Sequence, residues 1–167
     1  MPRLFVISAG IAALLSGCGG GSNAVADAPA SLVEKAEAYE AEVRAEFRAA
    51  TGHDAANSHE LLAYIDRRVE ELPKLDDTSA DALVQAYGST LGQLLIHDLS
   101  AKWVRSGSDG DGVALPNGKV AYVFNRAARR IFDREPLGFV AYYDSALSLV
   151  KGAPLPGGVQ AKKTPSS

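Results

Sequence analysis

The chain has 167 residues and a mass of 17.5 kDa, with 17 Lys and Arg against 20 Asp and Glu and 47% hydrophobic residues. That is the composition of a globular protein of one domain, and a net charge of −3 leaves no basic stripe of the kind a nucleic-acid binder carries. A single Cys rules out both a disulfide framework and a cysteine-based zinc site.

The first segment is the most specific. Met1-Pro2-Arg3 is a short positive start, and Leu4 to Leu15 is an unbroken run of apolar and small residues. As a helix this run spans about 18 Å, short of the ~30 Å hydrocarbon core, so it fits a secretory leader and not a permanent membrane span. Leu15-Ser16-Gly17-Cys18 follows. It resembles a bacterial lipobox: a branched apolar residue, two small residues and the cysteine that receives a diacylglyceryl group. The resemblance implies a signal peptide over 1–17, signal-peptidase recognition through Leu15, Ser16 and Gly17, and a mature chain starting at lipidated Cys18. The alternative is an ordinary leader cut nearby, which leaves a free thiol, or the buried start of a cytosolic protein. Gly19 after the cysteine, where an Asp would signal retention, implies an outer-membrane location facing the periplasm. Two or three acyl chains anchor stably where one is marginal.

Gly19 to Ala30 is rich in Gly, Ser, Asn, Ala and Pro without periodicity, so residues 18–30 are expected to form a flexible tether. A domain over 31–151 follows. Ser31 to Glu34 matches a capping box, and Leu32, Ala36, Tyr39, Val43, Phe47 and Ala50 recur at helical spacing up to Gly52. A second helix is expected from Ser58 to Leu72, capped by Asn57 and stopped by Pro73. A third runs from about Thr78 to Leu99 and is apolar enough to be central. Gly88 and Gly92 lie one turn apart on it, and each costs about 1 kcal/mol relative to Ala, so another backbone is expected to approach them closely.

The period then changes. Trp103-Val104-Arg105, Val113-Ala114-Leu115 and Val120 to Val123 are β-prone, separated by Gly107 to Gly112 and by Pro116-Asn117-Gly118. Asn-Gly between such runs predicts a hairpin, and the whole predicts a three-stranded antiparallel meander. Asn125 is placed to cap a helix from Arg126 to about Arg134, and Phe139 to Val150 form a last helix before a disordered tail over 152–167. The fold class is therefore α+β: three N-terminal helices, the meander, and two C-terminal helices.

Tyr87 to Leu94 with its two glycines, Trp103-Val104, and Leu115-Pro116-Asn117-Gly118 before a short basic helix together resemble a small bacterial domain family of unknown function. The likeness covers about Leu83 to Leu149, under half of the chain. Its motifs are turns, glycines and a strand tryptophan, so it implies a fold and brings no catalytic residues.

Each histidine precedes an acid: His53-Asp54, His59-Glu60 and His97-Asp98. No two are spaced as helical metal ligands, and surface or helix-end contacts are the plainer reading. His97, Asp98 and Ser100 are the residue types of a hydrolase triad, but neighbours on a helix diverge and no Gly-x-Ser-x-Gly elbow is present. Asp109 to Gly112 starts like a calcium loop, yet Val113 and Ala114 stand where a ligand and a glycine belong. Arg126, Arg129, Arg130 and Arg134 share one helix face in this reading. They are the candidate surface for anionic lipid or an acidic partner, against a solvated face with local ion pairs. Tyr142 and Tyr143 read as half-buried packing residues, and Trp103 as a residue of the core or its rim.

No catalytic residue, metal or cofactor is therefore expected. The function that fits is a lipid-anchored envelope protein, non-catalytic, which binds another protein as an accessory, assembly or inhibitor factor. An envelope enzyme acting on wall or lipid is the alternative.

Overall fold

A computed structural model describes residues 25–106 and 110–152. The leader, the lipobox with Cys18, the turn tip at 107–109 and the tail at 153–167 lie outside the described residues.

The chain enters as a short strand, β1 (Val25–Asp27), antiparallel to β2 (Lys102–Ser106), with Val25 opposite Ser106 and Asp27 opposite Val104. The Ala28 N–H extends the pairing to the Trp103 carbonyl at 3.3 Å. Val25 to Asp27, expected as part of the tether, are therefore paired into the sheet. A three-residue VAD stretch is too short for periodicity to mark as a strand, and its pairing partner lies about eighty residues away.

Helix α1 (Ala30–Thr51) starts directly behind Pro29, whose carbonyl receives the Leu32 N–H at 2.9 Å. The expected capping box does not form, because Ser31 already lies inside the helix and no side chain caps it. Ala36, Val43 and Phe47 are buried, Ala50 is exposed, and Gly52 at φ 81 ends the helix as expected.

Helix α2 (Ser58–Glu71) has its cap where the sequence placed it: Asn57 accepts the Glu60 N–H at 3.0 Å. In return the Glu60 carboxylate takes the Ala56 N–H at 2.6 Å. Helix α3 (Asp77–Leu99) starts one residue before the expected Thr78 and is capped by Asp76, which accepts the Ser79 N–H and hydroxyl. It is buried on every side from Tyr87 to Gly92, which makes it the centre of the domain, packed against α1 and α4 above all.

The sheet adds β3 (Gly110–Ala114) and β4 (Val120–Ala121) in the order β1-β2-β3-β4, all antiparallel. The expected meander is present with β1 as a fourth strand on its edge. The hairpin closes at Gly118, φ 81, whose N–H bonds the Leu115 carbonyl at 2.9 Å. Helix α4 (Val123–Ile131) begins three residues before the predicted start and ends three before the predicted end. Val123, Ala127 and Ile131 form its buried stripe, so Val123 belongs to the helical period and not to the strand. Asn125 is therefore inside the helix and caps nothing. Helix α5 (Phe139–Lys151) then packs on α2 and α3.

The two helix glycines differ: at Gly88 the expected backbone approach is present, with the Phe124 Cα 3.2 Å from where a Cβ would lie, whereas Gly92 faces a ring instead. A Cβ on Gly88 would lie 2.7 Å from Cδ1 of Phe124, and one on Gly92 would overlap the Trp103 ring. Trp103 and Phe124 stack on each other at 5.7 Å between centroids, so α3 is notched to receive the pair.

Candidate functional site

A cleft of about 630 Å³ opens between α1, the start of α2, the end of α3, and Tyr143 of α5. Its polar centre is the carboxylate of Asp98, whose side chain is 28% exposed. Ser58, the first residue of α2, donates its hydroxyl to Asp98 Oδ2 at 2.5 Å. The Tyr143 hydroxyl, from α5, donates to the same oxygen. His97 donates from Nδ1 to Oδ1 at 2.9 Å. Beside this group His59 donates from Nε2 to Asp144 at 2.6 Å, and its ring meets the edge of Tyr143 at 5.3 Å.

These bonds set the electrostatics. Burial pushes Asp98 up, but the hydrogen bonds from Ser58, Tyr143 and His97 outweigh it and hold the carboxyl below its ordinary range. Tyr143 moves the opposite way: burial and its bond to Asp98 push it up to about 12. The pair thus consists of a firmly ionised acid and a firmly neutral phenol.

That arrangement is poor at proton transfer. A general base works best when its pKa lies near the working pH, and Asp98 is displaced away from it. Ser58 gives its proton to that weak base, while His59 and His97 bond acids instead of the serine. The serine that Asp98 meets is also not the one adjacent in sequence. Ser100 is the C-cap of α3 at φ 54, whereas Ser58 comes from forty residues upstream.

Along α1 the cleft shares Glu37, Gln93 and Ile96 with an apolar pocket of about 380 Å³ over Val33, Ala101 and Trp103. The two form one trough, polar at the Asp98 end and apolar at the Trp103 end.

The arginines expected to form a partner surface do something else. Arg126 and Arg130 are 6% and 7% exposed. Arg126 bonds Glu135 at 2.9 Å. Arg130 bonds the Glu135 carbonyl and Glu70, and lies 3.6 Å from Asp66. Arg134 stands past the end of α4 at φ 54 and donates to the carbonyls of Val69, Leu72 and Pro73, at the end of α2. Arg129, with its side chain 65% exposed, faces solvent without reaching another helix, and Arg134 is exposed but tied to α2. The shared solvated face is therefore corrected to a staple that joins α2, α4 and α5, because α4 is turned so that the stripe of Arg126 and Arg130 points inward.

The acid of the suspected calcium loop is also engaged, since Asp111 forms a two-bond pair with Arg105 at 2.8 and 3.1 Å. Among the described residues no group of three His, Cys, Asp or Glu could hold a metal ion. Nor is any helix among them long and apolar enough to cross a membrane.

No family model matches the chain, and no curated protein or solved structure matches it significantly.

Proposed function

We propose that the chain is a lipid-anchored protein of the bacterial envelope, held by acyl chains on Cys18 in the outer membrane and facing the periplasm. Its role is to bind another envelope protein, as an accessory, assembly or inhibitor factor, and the trough between α1 and α3 is where that partner's segment lies. The observation that carries this reading is the Asp98 group: a cleft with converging polar side chains in which every hydroxyl and imidazole is already bonded to an acid. Such a site offers shape, fixed charge and hydrogen-bonding edges, and it lacks a nucleophile paired with a competent base. The cleft itself is the one feature that favours an envelope enzyme. The direction of the Asp98 shift, opposite to what a catalytic acid needs, weighs against it.

Anchoring places the domain near its partner and raises the effective concentration without new contacts. Two variants test the reading. Cys18→Ser should leave an unprocessed, unacylated protein that no longer fractionates with membranes. Gln93→Trp should fill the trough without touching the Asp98 bonds, and a partner cross-linked to the parent chain should be lost from it. Normal maturation of Cys18→Ser refutes the anchor; a partner retained at full yield by Gln93→Trp refutes the trough.

A further inference from the structure

The trough is lopsided in charge as well as in polarity. Its lining carries the acids Asp27, Glu37, Glu40 and Asp98 against the bases Arg44 and Lys102. Arg44 pairs with Glu40 at 2.7 Å, and Lys102 with Asp27 at 2.7 Å. Glu37 is exposed and has no partner among the described residues. Asp98 accepts from Ser58, Tyr143 and His97, and its Oδ1 takes only the histidine bond, which leaves that oxygen room for a second donor. Counting histidine as neutral, Glu37 and Asp98 are the uncompensated charges of the trough, and both are negative.

The spacing along α1 is regular. Val33, at the apolar end, and Glu37 are one turn apart, about 6 Å along the axis. The same face continues through Glu40 to Arg44, about 16 Å from Val33, which is the length of about five residues of extended chain. Alternate residues of an extended chain share a face and lie about 6–7 Å apart, the same step as Val33 to Glu37.

We infer that the trough takes an extended segment of the partner that carries an apolar side chain and, two residues away, a Lys or Arg. The apolar group enters the pocket over Val33, Ile96 and Trp103, the cation lies against Glu37, and the rest of the segment runs toward Asp98. This rests on the reading of the trough as the partner's site and adds the chemistry of the partner. An acidic segment would bring like charge to two uncompensated carboxylates. A wholly apolar one would take both out of water without a partner, which costs more than the contact returns. Because Glu37 is exposed, its attraction for the cation is screened by salt.

The test uses the chain from Gly19, which keeps every described residue, and two blocked hexapeptides, Gly-Leu-Ser-Lys-Ser-Gly and its counterpart with Glu in place of Lys. Trp103 is the only tryptophan, so its indole N–H gives one nuclear magnetic resonance, and that N–H lines no existing hydrogen bond. Titrated to millimolar concentration, the Lys peptide should shift this resonance and bind roughly three- to tenfold tighter than the Glu peptide, with the margin shrinking in high salt. Glu37→Lys, a change at an exposed position of α1, should reverse the order. Equal binding of the two peptides, or an order unchanged in Glu37→Lys, overturns the inference. So does the absence of any shift where Gln93→Trp still loses the cross-linked partner, and in that case the trough itself stands. A partner retained by Gln93→Trp overturns the trough, and the peptide chemistry with it.

Discussion

Asp66 tests the internal staple most directly. It lies on α2 with its side chain 18% exposed, and its two oxygens accept the Phe139 and Val140 N–H groups at 2.8 and 3.1 Å. It is therefore the N-terminal cap of α5, supplied from another helix; a Cβ on Gly138 would lie 2.5 Å from its Oδ2, so the cap also explains that glycine. Asp66→Ala removes both acceptors and leaves Arg130, 3.6 Å away, facing an apolar group. Loss of a cap costs about 0.5–2 kcal/mol, and hydrogen bonds to a charged group are worth about 1.5–3 kcal/mol. The two contributions overlap, so the expected loss is about 2–4 kcal/mol. Asp66→Asn keeps one carbonyl acceptor and should lose about half as much.

The assay is urea unfolding by circular dichroism, with chains that start at Gly19 so that the apolar leader does not interfere. The midpoint should fall without a change in slope, and the Phe139 and Val140 amides should exchange faster than others in α5. Arg129→Ala is the control. Its exposed pair with Glu135 at 3.7 Å should be worth under about 0.5 kcal/mol. If Asp66→Ala falls within that same margin, the cap contributes nothing and the staple argument fails.

Three further outcomes rest on the packing and the charges. Gly92→Ala should destabilise by about 1–3 kcal/mol through overpacking against Trp103, and the shift should appear in Trp103 fluorescence; an unchanged midpoint would mean the ring pair moves freely. The stability that Asp98 contributes should be complete above its unfolded pKa of about 4 and lost as pH falls through its lower folded value, so Asp98→Asn should flatten the acid limb of stability against pH. Tyr143, held up to about 12, contributes stability that is complete below the unfolded value of about 10 and lost as pH rises from there to 12. Tyr143→Phe should remove part of that alkaline loss, leaving the part due to Tyr87, which is also raised to about 12. Unaltered acid and alkaline limbs in these variants would contradict the bond geometry at Asp98.

The elements that sequence located well are those with local causes. Asn57 before a periodic apolar run, Gly52 after one, and Asn117-Gly118 between two β-prone stretches each act within a few residues, and each stands where expected. The elements it missed depend on distant partners. Nothing in Val25-Ala26-Asp27 marks a strand until Ser106, Arg105 and Val104 lie beside it. The glycines of α3 asked for a close neighbour, but only the fold shows that Trp103 and Phe124 supply it. The Asp98 group was illegible for the same reason, since Ser58, His59, Asp98, Tyr143 and Asp144 come from three helices and helical periodicity assigns faces without saying which faces meet.

The arginine stripe shows where a usable signal did exist. Four cations at helical spacing look alike whether a helix turns them to water or inward, so the stripe alone cannot decide. The acids decide it. On α2, Asp66 and Glu70 sit one turn apart, interleaved with the buried Leu62, Ile65 and Val69, and acids flanking a core stripe want an internal partner. Val123, Ala127 and Ile131 set the same stripe on α4, with Arg126 and Arg130 at its side. Charges along the borders of the two helices link α2 to α4 through Arg130, and the inward turn of α4 takes Arg126 and Arg130 off the surface, while Arg134 stays exposed and bonded to the end of α2. Under the proposed function, the surface left for a partner is the trough between α1 and α3, whose lining includes Glu37, Gln93 and His97. Substitutions there should act on binding without the loss of stability that any change in the staple brings.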